Sequence, residues 1–351
     1  MPLDSSTPYF RKETLADAVQ VVDERESQST LLQLFPRRLK GGDTITVRTL
    51  TRTAQDIRQT TRDGKGYTID KGTATETQYR PGWVKPQAEV NGDDLDVFYA
   101  ATQAVGQQDD RSAAIVDDAN QRVMSLAERL MTDDAAWRKK AIIGALTGSY
   151  SFYVDDTAQT ITYGLTPIAS PSTTWTNAAA TILTDFRTAL NTFYEVAGVE
   201  ADTVFHSPKL TDDIFKNTQM NTLLGGSPQL SEALLSLSAG SLGGGPLGTM
   251  MGLGAGVQWI PVQGRVVPVG GGAATDIWPR TKIVLANRAL MGAEWGMAFS
   301  ALYGITTAAP NVEMSTPPEG SDVKSIKVTL FDNGIATFRR PDLVMPWTVE
   351  F

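Results

Sequence analysis

The longest helical pattern in the chain runs from about residue 110 to residue 148. Apolar residues recur three or four positions apart along it while polar residues occupy the opposite side, which is the pattern of an amphipathic helix. At about 1.5 Å per residue such a helix extends over roughly 55 Å, longer than the diameter of a small domain. Because a compact enzyme rarely needs a helix of this length, the pattern favours a flat or elongated subunit.

The apolar stripe of this helix has one interruption, at Asp134. Trp137 and its aliphatic neighbours are predicted to face a β layer of the same subunit. The charged face, from Asp117 through Arg138, is predicted to point away from that core.

The residue types that build many active sites are scarce. Cysteine is absent and His206 is the one histidine, which excludes disulfides, thiolate chemistry and multi-histidine metal sites within one chain. The formal net charge of −8 gives no overall attraction to nucleic acid. Neither a signal-peptide pattern nor a run of about 20 apolar residues is present, so the sequence predicts a soluble, cytoplasmic product.

Two segments precede the long helix. Residues 1–42 predict an N-terminal arm with a short helix at about 12–25 and a basic cluster after it. Residues 43–90 predict an extended β-ribbon, because apolar and polar side chains alternate from Asp43 to Leu50 and a tip with two glycines follows at 64–66. The ribbon has few apolar residues to bury, and a two-stranded ribbon of this kind is marginally stable alone in water.

The ribbon therefore needs another surface, and we predict that it packs on a neighbouring subunit through basic residues. The predicted intersubunit residues, taken from the ribbon and from the basic cluster of the arm, are Arg37, Arg38, Arg48, Arg52, Arg58, Arg62 and Lys65. Two simpler interpretations remain open, a mobile surface hairpin for the ribbon and a solvated turn for the cluster.

The second half of the chain predicts a compact α/β region followed by further β segments. The elements expected there are a hairpin at 151–164, a boundary at 166–174, a helix at 178–196, a strand at 203–206, a helix at 208–217, buried strands at 257–269 and 282–286, and short β segments at 296–315. An uncharged, glycine-rich loop occupies 239–256.

The C-terminal segment predicts a β-hairpin. Asn333-Gly334 lies between strand-like runs at 323–330 and 335–338, and Asn-Gly in that setting is the strongest short-range hairpin signal. Residues 344–351 are apolar enough to be anchored to the body of the protein.

No arrangement of residues in the sequence predicts catalysis. The glycines at 252–256 lack the G-x-G-x-x-G spacing of a dinucleotide loop, and Ser241 lacks the preceding glycine of a nucleophile elbow. His206 is more simply interpreted as a strand-end histidine bonded to backbone than as a base. The paired aspartates lack the spacing of a calcium loop and are interpreted mostly as caps, turns and solvated faces. We therefore predict no catalytic residue, no cofactor and no metal site.

The order of these elements resembles that of the major capsid proteins of tailed bacteriophages, most of all the phage lambda type. The patterns that carry the resemblance are Ala141–Tyr150 at the end of the long helix, Ile161–Gly164 at the end of the hairpin, and the strand–proline–helix run Val204–Phe215. As architecture, the resemblance spans essentially the whole chain.

The resemblance implies an α+β fold of the kind that tailed phages share with herpesviruses. It divides the chain into an N-terminal arm (1–42), an extended β-ribbon loop (43–90), a peripheral domain (91–169) with a spine helix (110–148), an axial domain (170–320) and a C-terminal β segment (321–351). The loop at 239–256 is then expected at a capsomer axis, and the charged face of the spine helix toward solvent, DNA or a neighbouring subunit.

For function, the resemblance implies a structural, non-enzymatic protein that self-assembles through hexamers and pentamers into the icosahedral shell of a virion. The shell encloses double-stranded DNA, contacted weakly, and is assembled in the host cytoplasm with a separate scaffold protein. Some members of the family carry a decoration protein at three-fold positions, and no membrane is involved. Two alternatives are another ring-forming virion component, such as a connector or tail protein, and a hydrolase or transferase that uses Ser241 or His206.

Overall fold

The long helix predicted from the sequence is the central element of the fold and spans Asp110–Thr147, 38 residues. The computed structural model describes residues 11–51, 73–105, 110–154, 157–175, 177, 180–210, 217–218, 257–262, 264–266, 273–315 and 325–350. Within these ranges, helices and sheets combine into an α+β fold.

The described helices are α1 Lys12–Glu26, α2 Thr30–Leu34, α3 Gly92–Ala104, α4 Asp110–Thr147, α5 Ile182–Ala197 and α6 Arg288–Met291, with a 3₁₀ turn at Pro341–Leu343. The described strands are β1 Arg37–Lys40, β2 Ile45–Thr51, β3 Thr73–Tyr79, β4 Trp83–Val84, β5 Gln87–Val90, β6 Ser149–Val154, β7 Thr157–Thr162, β8 Thr203–His206, β9 Gln258–Pro261, β10 Arg265–Val266, β11 Thr275–Asp276, β12 Lys282–Ala286, β13 Ala293–Ala298, β14 Asn311–Ser315, β15 Ile326–Asn333, β16 Ile335–Phe338 and β17 Val344–Thr348.

Helix α4 is buried by two separate hydrophobic clusters. Its first half, including Val123 and Leu130, packs with α1, α3, β14 and β15. Its second half, including Ile142 and Leu146, belongs to a larger cluster that contains most of the strands of the second half of the chain. Because one helix contributes to both cores, its apolar periodicity continues along nearly its whole length.

The helix ends where the chain reverses into a hairpin. Gly148 has a φ of +112°, in the region that favours glycine. A Cβ on Gly144 would lie 2.8 Å from Ser149 O, so the last turn of the helix and the first residue of β6 approach closely. β6 and β7 are paired antiparallel over their whole length, which confirms the predicted hairpin.

The described strands form two four-stranded sheets, one three-stranded sheet and three two-stranded ribbons. One four-stranded sheet has the order β17-β12-β8-β9, and its β8 and β9 are parallel. The other has the order β14-β15-β4, and β5 also pairs with β15. The three-stranded sheet has the order β1-β13-β16, in which the N-terminal strand β1 lies parallel to β13.

The predicted C-terminal hairpin is wrong, because β15 and β16 lie in different sheets. β15 pairs with β14, β4 and β5, whereas β16 pairs with β13. Asn333 is fully buried, and its side chain accepts from Ala298 N at 3.0 Å and donates to Ala298 O at 3.1 Å. Asn333 thus pairs with the end of β13 instead of forming a turn, and the chain passes between the sheets through Gly334.

The other predicted elements within the described residues are largely confirmed. α5, β8 and β12 lie where periodicity placed them, with boundaries shifted by at most a few residues, and β17 anchors the apolar C-terminal segment to the body by pairing with β12. Residues 211–216 of the helix predicted at 208–217, the loop at 239–256 and the tip of the ribbon lie outside the described residues. The domain limits stay predictions. In the described part of the chain, no helix is both long enough and apolar enough to cross a membrane.

Candidate functional site

The ribbon predicted for intersubunit contact is anchored at its base. β2 and β3 are paired antiparallel from Ile45↔Tyr79 to Thr51↔Thr73. The side chains of Ile45 and Val47 are buried in the larger hydrophobic cluster, whereas residues 75–78 of β3 are exposed. The ribbon is therefore fixed to its own subunit by alternate residues of β2 and presents polar side chains above that anchor.

The predicted intersubunit residues fall into three groups. Arg38 is exposed on β1, and Arg48 lies in β2 directly opposite Glu76. Arg37 is turned into the subunit. The remaining four residues lie outside the described residues; they are Arg52, Arg58, Arg62 and Lys65. The intersubunit role of all of these residues stays a prediction.

Arg37, which was predicted to meet a neighbouring subunit, contacts its own chain. Its side chain is 7% exposed and pairs with three carboxylates. Nη1 donates to Asp23 on α1, and Nη2 donates to Asp134 Oδ2 at 3.0 Å and to Asp332 Oδ2 at 2.8 Å. Adjacent residues of a strand point to opposite faces, so Arg37 takes the buried face of β1 and Arg38 the exposed face.

Arg138 completes a group that we call the ionic cluster, defined as Asp23, Arg37, Asp134, Arg138 and Asp332. Arg138 is 2% exposed, and its Nη1 lies 3.5 Å from Asp23 Oδ1. Its guanidinium carbon lies 5.8 Å from the centre of the Trp295 ring. The prediction that Arg138 belongs to the charged outer face of the helix is wrong, because Arg138 and Asp134 share the buried face at i, i+4 spacing.

Trp137, between these two charged residues, has the predicted orientation. Its ring packs edge-on against Trp295 of β13, with the centroids 5.1 Å apart. Its indole N–H donates to Tyr150 Oη at 2.9 Å. The helix therefore faces a β layer of its own subunit at this point, as expected from the sequence.

Burial dominates the electrostatics of the ionic cluster. Removal from water raises the pKa of the Asp134 carboxyl well above its ordinary value, and the charge of Asp332 raises it further against the attraction of Arg37 and Arg138. Burial lowers the pKa of Arg138, and the neighbouring charge of Arg37 lowers it further. Burial also disfavours charged Arg37, but the attraction of its three aspartates outweighs this and raises its pKa.

The ionic cluster joins α1, β1, α4 and β15, which are far apart in the sequence. A buried ion pair adds little net stability compared with apolar packing, but loss of one partner leaves an uncompensated charge and costs about 3–5 kcal/mol. Two more ion pairs, Arg25–Glu128 and Lys139–Glu26, lie along the same contact between α1 and α4. The cluster therefore holds the N-terminal segment, residues 11–40, in one position on the long helix.

His206 is buried in β8, in agreement with its interpretation as a strand-end histidine bonded to backbone. Its Nδ1 lies 2.8 Å from Ser207 O, and its ring packs edge-on against Trp259. Burial lowers the pKa of His206 to about 4, so the imidazole is neutral at physiological pH. Ser241 lies outside the described residues, and within the described ranges no three His, Cys, Asp or Glu side chains are grouped to hold a metal ion.

The ionic cluster is the feature that sequence reasoning missed. One signal was available, because Asp134 interrupts the apolar stripe and Arg138 follows four residues later on the same face. Acidic and basic residues at this spacing on a face predicted to be buried indicate a buried ion pair. The other members come from remote segments, and no local pattern connects them to the helix.

The fold matches solved structures along almost its whole length. The presumed capsid protein of an Escherichia coli prophage aligns with a TM-score of 0.61 at 14% identity, covering 96% of this chain and 98% of that chain. A phage-related protein from Bordetella bronchiseptica aligns with a TM-score of 0.52 at 14% identity, covering 95% of each chain. No protein-family model and no curated protein sequence matches this chain. These matches confirm the predicted α+β capsid fold and do not distinguish the lambda type.

Proposed function

We propose that this chain is a major capsid protein of a tailed phage, a structural subunit that self-assembles into the icosahedral shell around double-stranded DNA. The observation that carries the proposal is the fold match to the presumed prophage capsid protein, which covers 96% of this chain and 98% of the other. With 96% of one chain and 98% of the other covered, the likeness extends over nearly all of both chains. It is this whole arrangement, and not one widespread motif, that supports the proposal.

The polar ribbon supports an assembled state. A two-stranded ribbon is marginally stable alone in water, and residues 75–78 of this one are exposed, so a second surface would stabilise it. Contact between the ribbon of one subunit and a different surface of the next is heterologous. Such contacts form a closed assembly when the repeated rotation from one subunit to the next returns to the first subunit. We infer that Arg38, Arg48 and the basic residues near the ribbon tip contribute to this contact.

The proposed partners follow from a shell of this kind. They are further copies of the chain in hexamers and pentamers, a separate scaffold protein during assembly in the host cytoplasm, packaged DNA, and a decoration protein at three-fold positions. The net charge of −8 supports weak, non-specific contact with DNA, because tight binding requires neutralisation of many phosphates. The role is structural and non-enzymatic, and the neutral, buried His206 is consistent with it.

Electron microscopy of the purified chain, expressed with and without a scaffold protein, tests the proposal. The expected result is closed, roughly spherical shells of uniform diameter. Rings with a small, fixed number of subunits would favour a connector or tail protein instead. A chain that stays monomeric under all of these conditions would refute self-assembly.

Charge reversal in the segment of the sequence between β2 and β3 tests how the subunits meet. The triple variant Arg52→Glu, Arg58→Glu and Arg62→Glu is expected to fold but to form no shells, because attraction to acidic groups of a neighbour becomes repulsion. The matched control reverses three exposed arginines outside the ribbon, Arg111, Arg129 and Arg187, and is expected to assemble. Normal shells from the ribbon variant would contradict the intersubunit role of these residues.

A further inference from the structure

The ionic cluster contains more negative than positive groups at a place removed from solvent. Three carboxylates, Asp23, Asp134 and Asp332, meet the guanidinium groups of Arg37 and Arg138. If all five groups were ionised, one negative charge would remain uncompensated next to Asp134 and Asp332, which are both 0% exposed. A buried group in this situation normally changes its protonation state, because an unpaired charge in a low dielectric is very costly.

The two fully buried carboxylates are held together by one nitrogen atom. Arg37 Nη2 donates to Asp134 Oδ2 at 3.0 Å and to Asp332 Oδ2 at 2.8 Å. Two carboxylates at one shared site repel each other strongly when both are ionised, and one of them then keeps its proton to a much higher pH than usual. The geometry therefore favours one negative charge on the pair.

The remaining oxygen atoms of the pair differ in their surroundings. Asp332 Oδ1 accepts the backbone N–H of Asn333 at 2.7 Å. Asp134 Oδ1 is buried and has no hydrogen-bond partner. A proton on this oxygen removes a buried negative charge and displaces no hydrogen bond, so Asp134 is the protonated member of the pair.

We propose that Asp134 stays protonated beside Asp332 in the folded subunit and that this proton allows α4 and β15 to close over Arg37. With the proton in place, the ionic cluster has two positive and two negative groups and is balanced. Without it, Asp134 on α4 and Asp332 on β15 repel each other across the side chain of Arg37. The junction between the long helix and the C-terminal strands is then weakened at alkaline pH.

The surroundings of the pair are consistent with one bound proton. The charged groups that pack around it, by element, are Asp23 and Glu26 on α1, Arg37 on β1, Arg138 and Lys139 on α4, and Asp332 itself on β15. Glu26 and Lys139 pair with each other, so they add no net charge. Burial, followed by the charge of Asp332, raises the pKa of Asp134 despite the two arginines, in the direction that the geometry requires.

A raised pKa in the folded state gives the stability a defined dependence on pH. An unfolded aspartate loses its proton above about pH 4, while the folded pair keeps one, so unfolding releases a proton and becomes more favourable as the pH rises. The contribution of the pair to stability is complete below the unfolded pKa. Above that pKa, the equilibrium constant for unfolding increases about tenfold for each pH unit. The increase stops at the pH at which the pair loses its proton in the folded state as well.

Urea unfolding of the unassembled full-length subunit over a series of pH values tests the proposal. Asp134→Asn replaces the bound proton by an amide N–H, and the matched control Asp133→Asn removes a charge from the exposed preceding residue. The ratio of the unfolding constants of wild type and Asp134→Asn is expected to rise about tenfold per pH unit above about pH 4. The same ratio for Asp133→Asn is expected to stay constant. A ratio for Asp134→Asn that does not change with pH would overturn the proposal.

Infrared spectroscopy detects the proton independently of stability. A neutral carboxyl group has a carbonyl stretching band that a carboxylate lacks, and the folded wild type is expected to show this band at neutral pH. The band should be lost in Asp134→Asn and kept in Asp133→Asn. If Asp134→Asn does not fold, Asp332→Asn is used in its place in both experiments. This variant puts the amide donor on the other member of the pair. A folded wild type without the band at neutral pH also overturns the proposal.

Discussion

Replacement of Arg37 by alanine is expected to destabilise the subunit itself. The Arg37 side chain is 7% exposed and pairs with carboxylates on α1, α4 and β15. Its removal leaves Asp134 and Asp332 buried, with Arg138 as the remaining guanidinium of the ionic cluster. Loss of one partner from a buried ion pair costs about 3–5 kcal/mol, and a whole folded domain is stable by about 5–15 kcal/mol. Arg37→Ala is therefore expected to remove a large part of the free energy of unfolding.

Urea unfolding followed by tryptophan fluorescence measures this loss, because Trp137 and Trp295 pack beside the ionic cluster. Arg38→Ala is the matched control, since Arg38 is the next residue of β1 and is exposed. It is expected to change the free energy of unfolding by no more than about 0.5 kcal/mol. The loss in the free energy of unfolding for Arg37→Lys is expected to lie between those of Arg37→Ala and Arg38→Ala, because an ammonium group keeps the charge but lacks the planar fork of guanidinium.

Two results would refute this reasoning. A loss below about 1 kcal/mol for Arg37→Ala is the size expected for an exposed ion pair and not for a buried network. Alternatively, a variant with unchanged subunit stability that fails to form shells would assign Arg37 to the contact between subunits.

Three further predictions concern the packing around the sheets. Trp137→Phe removes the indole donor to Tyr150 Oη and is expected to cost about 0.5–1.5 kcal/mol in thermal unfolding; an unchanged Tm would contradict it. Gly334→Ala places a Cβ against the Trp295 ring and is expected to cost about 1–3 kcal/mol by overpacking, whereas Gly92→Ala, where a Cβ meets nothing within 4 Å, should be tolerated in the same assay. Burial lowers the pKa of His206 to about 4, so its contribution to stability is complete above about pH 6.5 and falls by about 3 kcal/mol as the pH decreases to 4. His206→Gln is expected to flatten this acid dependence, and an equally steep dependence in the variant would exclude His206 as its origin.

The features that were predictable from the sequence depend on the periodicity of a single segment. The long helix could be predicted because both of its cores lie along the same stripe, so the apolar repeat continues from one to the other. The base of the ribbon could be predicted because Ile45 and Val47 alternate with polar residues, and that alternation is sufficient to identify a half-buried strand.

The features that could not be predicted depend on pairing between distant segments. Asn333-Gly334 has the local chemistry of a turn, but burial of the Asn333 amide against Ala298 outweighs that preference. The register of β1 with β13 decides which residues of β1 face the core, and therefore whether Arg37 or Arg38 is buried. The sequence of a short basic cluster is the same whichever of its residues face the core. Nothing in the neighbouring sequence therefore indicated that Arg37 is buried.

The parallel pairing of β1 with β13 also determines when the subunit can finish folding during synthesis. β1 aligns with residues 295–298, and Arg37 binds Asp332, so the N-terminal segment waits for partners that are translated much later. At about 5–20 residues per second, the delay between the two ends of this contact is on the order of tens of seconds. Contacts of such sequence separation also close slowly once both ends exist. A nascent chain therefore lacks a completed junction until residue 332 has left the ribosome, and a product truncated before that residue cannot form the junction at all.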